Sequence, residues 1–183
     1  MQKESRIVRV CDLITKYSIY ALIFLTPIFF LPWTAEVLDF NKQALLVLLT
    51  FVSLFALMLK VLILGKFEIK KSFAHIAGGV LFLAYLFSTI FSVFRYGSFW
   101  GAPQQTSESA LAVICFLLFY FLVSNIFSKK DILKSAIVLS FSAVVAELIG
   151  VLQLLGIFAL PFAFTKSAAF STLGSAGSLG IFA

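Results

Sequence analysis

Residues 42–64 read KQALLVLLTFVSLFALMLKVLIL, and within this run only Lys42 and Lys60 are charged. A helix needs about 20 predominantly apolar residues to cross roughly 30 Å of hydrocarbon. The run meets that length, and four further stretches of similar character lie at 13–33, 74–94, 107–127 and 132–156. The expected fold is therefore all-α: a polytopic membrane helical bundle with five complete transmembrane helices. The gaps between stretches set its direction. Lys3, Arg6, Arg9 and Lys16 precede or open the first stretch, Lys60, Lys66, Lys70 and Lys71 flank the second gap, and Lys129, Lys130 and Lys134 the fourth. The remaining gaps hold only Lys42, Arg95 and Lys166. Short basic loops stay cytoplasmic, which puts the N-terminus inside and turns the gaps near 34–41, 95–106 and 157–176 outward.

The composition agrees. A chain that is 62% hydrophobic with a mean hydropathy of +1.10 is not a soluble globule. Its net charge of +6 would point to nucleic acid in a soluble protein, but here the cations fall where anionic lipid headgroups lie. The bilayer is the expected partner and nucleic acid is not. Cys11 and Cys115 belong to different levels of the bundle, so no disulfide framework is expected. The first apolar stretch is too long for a signal peptide, and Pro32-Trp33-Thr34 after it is no cleavage site.

At the other end, 177–183 reads GSLGIFA, the start of a sixth apolar helix. The 183 residues are accordingly read as the N-terminal part of a larger protein, with a cytoplasmic or interfacial segment at 1–16 and a transmembrane domain from 17 to 183. Residues 3–16 suit either a short interfacial helix or an extension of the first span. Pro27 and Pro32 predict a kink or an early end near the far side of that span. Ser142, Ala146 and Gly150, spaced by four, form a small-residue packing seam, and Ala74 with Gly78 a shorter one.

Few residues point to chemistry. Glu147 is the one acid deep inside a span. Its insertion cost of about 2.5–3.5 kcal/mol is outweighed by roughly −4 to −8 kcal/mol from the apolar residues around it. It reads as a proton relay, an ion site, a head-group contact or a packing residue. His75 lacks Cys or carboxylate partners at ligand spacing, so a structural role is favoured over a metal site, and no metal or other cofactor is expected. Arg95, followed by Tyr96-Gly97-Ser98-Phe99-Trp100-Gly101 on the outward side, suits either a diphosphate contact or a snorkelling interfacial cation. The Gly- and Ser-rich 173–180 lacks the Gly-Lys-Ser/Thr ending of a phosphate loop. No catalytic triad, zinc spacing or nucleotide fingerprint is present.

Three segments resemble the bacterial O-antigen ligase/polymerase-like membrane proteins. They are Leu38-Asp39-Phe40-Asn41-Lys42-Gln43-Ala44-Leu45-Leu46, then Ser88-Thr89-Ile90-Phe91-Ser92 through Ser98-Phe99-Trp100-Gly101 to Asn125, and Ala169-Phe170-Ser171-Thr172-Leu173-Gly174-Ser175 with Ser178-Leu179-Gly180-Ile181-Phe182. The resemblance implies an enzyme of about a dozen spans in the cytoplasmic membrane. It would take a glycan from an undecaprenyl-diphosphate carrier on the outer face, without nucleotide or metal. The family's catalytic Arg and His residues belong to a second half that would follow these residues, so none is assigned here. Arg95, Trp100, Gln104 and Gln105 are the substrate-binding candidates, as the rim of a lateral groove for the carrier lipid. Where many relatives carry Gly-Arg after the Trp-Gly, this chain has Ala102-Pro103-Gln104-Gln105-Thr106. Two other readings stand beside this one: half of a secondary transporter with Glu147 as the coupling residue, and a non-catalytic membrane anchor for a downstream domain.

Overall fold

The computed structural model describes residues 2–33, 38–66, 70, 72–101, 108–157, 170–172 and 174–175. Six helices appear among them: α1 (Gln2–Leu25), α2 (Asp39–Leu64), α3 (Phe73–Ile90), α4 (Arg95–Trp100), α5 (Ala110–Ile126) and α6 (Lys129–Leu154). The only strands there are β1 (Phe170–Ser171) and β2 (Gly174–Ser175), an antiparallel pair of two residues each. The expected end of a sixth span, 177–183, lies outside the described residues.

Local chemistry explains where the helices begin and stop. In a helix the first N–H groups lack backbone acceptors, and serine hydroxyls fill that role. Ser72 Oγ accepts from Ala74 N, and Ser109 Oγ from Ala112 N. Ser128 and Asp131 cap α6 reciprocally: Ser128 Oγ accepts from Asp131 N, and Asp131 Oδ2 accepts from Ser128 N. Helix α2 ends at Gly65, whose φ of 62° is left-handed and whose N–H reaches Val61 O at 2.8 Å. Helix α1 stops at Leu25 because Pro27 has no N–H to continue the ladder. Thr26, Ile28 and Phe29 close the end through N–H bonds to Leu22 and Leu25 carbonyls.

The expectation of five complete transmembrane helices is corrected here. Three helices are long and apolar enough to cross a membrane by length and composition, Asp39–Leu64, Phe73–Ile90 and Lys129–Gln153, and a fourth, Ala110–Ile126, is apolar but shorter. Helix α1 runs unbroken from residue 2, with no break at 16. Its centre carries Arg9, Asp12 and Lys16, and the early end at Leu25 leaves an apolar portion too short to count with them.

The helices alternate in direction. Lys60 Nζ meets Asp12 Oδ1 at 2.6 Å and Thr15 Oγ1 meets Ser53 O at 3.4 Å, so α1 and α2 are antiparallel. The first turns of α2 and α5 meet through Gln43 and Ser109, while Leu57 and Leu122 share a core further along, so these two are parallel. Lys16 pairs with Asp131 and Ser142 with Phe24, making α1 and α6 parallel. Lys70, just before α3, donates its N–H to Asn125 near the end of α5, so α3 and α5 are antiparallel. Helices α1, α3 and α6 therefore run one way and α2 and α5 the other. This gathers the cations of alternate gaps at one end of the bundle, the basic end, with Lys42 and Arg95 at the other.

Helix α1 is the pillar. One side packs along α2 and touches α5, and another packs along α6. Ile19, Leu57, Leu122 and Phe127 form one core cluster, and Leu22, Leu45, Leu46 and Cys115 the next. Cys11 and Cys115 are both buried and free. The α1–α6 contact adds a side-chain bond near the end of α1, and the small residues of α6 continue past it. Ser142, Ala146 and Gly150 face inward as the spacing predicted, and Ser142 Oγ donates to Phe24 O at 2.6 Å. In hydrocarbon, where apolar surface alone gives no association, close approach and interhelical hydrogen bonds hold helices together. Of the shorter pair only Gly78 faces α5, lying 3.5 Å from Leu117 by its would-be Cβ, and Ala74 is exposed. Helix α3 buries no residue, and Phe141, Val144, Leu148 and Val151 of α6 are exposed, the surface expected against lipid.

Ala146→Leu is expected to destabilise the bundle by about 1–3 kcal/mol through overpacking, while Leu148→Ala, on the exposed side of the same helix, stays within roughly 0.5 kcal/mol. Thermal unfolding in detergent checks both.

Candidate functional site

Away from the basic end, the first turn of α2 carries Asp39, Asn41, Lys42 and Gln43, four polar residues within five positions. Each has a defined task. Asn41 is buried and its Nδ2 donates to Leu31 O at 3.3 Å, tying down the chain that leaves α1. Gln43 is also buried, and its Nε2 donates to Ser109 Oγ at 2.8 Å and to Trp100 O at 3.4 Å. That one amide joins the starts of α2 and α5 to the end of α4. Lys42 Nζ donates to Thr172 O at 2.6 Å, so the turn between β1 and β2 is held over the end of the bundle. Thr172 is itself buried, and its Oγ1 has no hydrogen-bond partner among the described residues.

Lys42 also stands where two cavities meet. One, of 200 Å³, is bordered by Asp39, Lys42, Gln43 and Phe116. The other, of 620 Å³, runs from Lys42 and Pro27 past Phe116 and Phe119 to Leu139 and Ile132. Both share Thr26, Lys42, Leu46 and Phe116. Helices α5 and α6 make no extensive contact with each other, so the larger cavity is a slot between them with α1 and α2 as its floor. Its volume falls in the range of about 300–1,000 Å³ usual for ligand sites. The slot is apolar along its length, and one ammonium stands at its end. A lysine has three N–H donors, and Thr172 O occupies one of Lys42's. The arrangement suits an amphiphile: hydrocarbon along the slot and an anionic head at Lys42.

The predicted residues divide. Trp100 is brought to this end through its carbonyl, although its ring is half exposed and packs on Phe99 and Tyr96 at centroid distances of 5.2 and 6.4 Å. Arg95 lies on the same short helix, exposed, and borders neither cavity. Gln104 and Gln105 lie outside the described residues. In helix α4 a Cβ on Gly97 would overlap the ring of Phe94, which is itself exposed. Glu147 is half-buried beside the Ala146 seam, away from the slot. His75 packs edge-on to Tyr120 at 5.5 Å and against Phe121 at 5.6 Å, as an α3–α5 contact residue. Lys42 and Gln43 were passed over as site residues, though a polar cluster opening an otherwise apolar run was the available signal.

No protein-family model matches the chain, no curated protein matches it, and no solved structure matches its fold.

Lys42→Met removes the bond to Thr172 O and is expected to raise backbone amide exchange across 170–175 by about tenfold, consistent with a lost charge-assisted hydrogen bond of roughly 1.5–3 kcal/mol, with α2 unchanged in hydrogen-exchange mass spectrometry.

Proposed function

We propose that the chain is the carrier-lipid-binding membrane part of an enzyme of the O-antigen ligase/polymerase type, which transfers a glycan from an undecaprenyl-diphosphate carrier. The observation that carries this reading is the apolar slot between α5 and α6, open to the side and ending at Lys42. In this reading the isoprenoid lies along Phe116, Phe119 and Leu139, and the diphosphate reaches the ammonium of Lys42. The sequence resemblance supplies the reaction class. An acceptor hydroxyl attacks the anomeric carbon, the bond from that carbon to the diphosphate oxygen breaks, and the hydroxyl proton passes to a base. The diphosphate leaves as an anion, which cationic donors stabilise. Lys42 is one such donor, with Gln43 and the Trp100 segment as the rim. The base and further cations come from a second half of the protein, as the resemblance implies.

The same reading carries the finer topology. The long apolar helices cross the cytoplasmic membrane, the basic end faces the cytoplasm, and Lys42 faces outward. Two things support it: the alternating helix directions, and the meeting of cations from alternate gaps at one end.

Two experiments test this. A membrane-impermeant maleimide added outside intact cells is expected to label a cysteine at Ser98 and not one at Lys129; the reverse pattern contradicts the topology. A photoreactive residue at Phe116 or Leu139 is expected to crosslink a prenyl-diphosphate probe, one at Leu148 is not, and Lys42→Met lowers the yield by about tenfold, the worth of roughly one charge-assisted contact. Equal crosslinking at 116 and 148 contradicts the slot. If Glu147→Gln instead abolishes pH-driven flux in vesicles, the transporter reading replaces this one.

A further inference from the structure

At the basic end, α1, α2 and the end of α5 enclose a separate cavity of 750 Å³. Four cations border it, Arg9, Lys16, Lys60 and Lys66, and one acid, Asp12. The ion pairs sort them. Lys60 is bound to Asp12 at 2.6 Å, and Lys16 is bound to Asp131 at 2.6 Å on the far side of α1. Arg9 and Lys66 are exposed and have no acidic partner among the described residues. Arg9 comes from α1 and Lys66 from the chain just after α2, and both border the cavity. The rest of its border is Asn125, whose amide oxygen accepts from Lys70 N–H, and an apolar side formed by Leu13, Leu57, Val61, Leu64 and Ile126.

Two cations with no acidic partner among the described residues, beside an apolar side, suit an amphiphilic anion. An arginine fork and a lysine ammonium both bind phosphate oxygens well, and basic pockets between membrane helices suit anionic head groups. The apolar wall adds nothing to the binding of a hydrated inorganic ion, whereas it shields the first methylenes of an acyl chain. We propose that this cavity is a binding site for an anionic phospholipid, with its phosphate between Arg9 and Lys66 and its upper acyl chain against Leu57, Val61 and Leu64. It lies at the opposite end of the bundle from Lys42 and is independent of the carrier-lipid reading.

The test is native mass spectrometry of the full chain in detergent, titrated with phosphatidylglycerol or phosphatidylcholine. Phosphatidylglycerol is expected to bind preferentially. The double variant Arg9→Gln/Lys66→Gln weakens it by roughly thirtyfold, at about 1 kcal/mol for each cation. The charge-keeping Arg9→Lys/Lys66→Arg pair retains most of the binding. Lys129→Gln/Lys130→Gln, which removes the same charge outside the cavity, leaves it unchanged. Equal loss in that last variant would mean a diffuse field in place of a site, and unchanged binding in Arg9→Gln/Lys66→Gln would remove the site altogether. Displacement of phosphatidylglycerol by millimolar inorganic phosphate would assign the cavity to free phosphate and overturn the lipid proposal.

Discussion

The carboxylate of Asp131 is the constraint on which the bundle turns. It accepts from Lys16 Nζ at 2.6 Å, from Tyr20 OH at 3.2 Å, and from both the backbone N–H and the hydroxyl of Ser128. Asp131 is 7% exposed, and a buried charge without partners costs several kcal/mol. Here the partners also start α6, since the same oxygens complete its capping box. One side chain thus begins a helix and fixes where it stands against α1. Ser142, eleven residues on, repeats the attachment by donating to Phe24 O. Two bonds at different heights define a direction and a spacing, which a single contact would not.

The rest of the architecture follows from that attachment. Because α2 and α5 occupy the other sides of α1, α6 joins the bundle through α1 with little help from α5. The gap left between α5 and α6 is the apolar slot. Its floor is closed by Leu22 and Leu46, which also belong to the core, and its end by Lys42. Polar side chains inside a membrane bundle are tolerated where they are paired, and several here make interhelical bonds: Thr15 to Ser53, Gln43 to Ser109, Ser142 to Phe24. The ends of the bundle differ in kind. At the basic end, cations and two acids hold α1 to its neighbours. At the other, amides and one lysine join helix starts to the β pair.

How much of this was legible depends on the range of each interaction. The long apolar runs at 42–64, 74–94 and 132–156 announced α2, α3 and α6 because length and composition alone decide them. The seam at Ser142, Ala146 and Gly150 was legible because a four-residue period maps to one side of a helix. Pro27 announced an early end to α1, but not that the helix would stop at Leu25 with Lys16 and Asp12 still in it. Residues 3–16 suited either an interfacial helix or an extension of the span, and nothing local showed what Lys16 and Asp12 would meet. In the fold each meets a partner far along the chain, Asp131 and Lys60, and no local pattern contains such a pairing. The site was missed for the same reason. Arg95 stood out as an isolated cation among aromatics, whereas Lys42 looked like the edge of a span until the turn at Thr172 came back over it.

The central claim is that the slot and Lys42 together bind a lipid with an anionic head. The most direct measurement is equilibrium binding to the chain reconstituted in neutral-lipid nanodiscs, comparing a prenyl diphosphate with the prenyl alcohol of the same length. The account predicts that the diphosphate binds tighter by about tenfold or more, the scale of one charge-assisted contact, and that this advantage disappears in Lys42→Met while the alcohol's affinity holds. Equal affinities for the two lipids in the wild-type chain would contradict it.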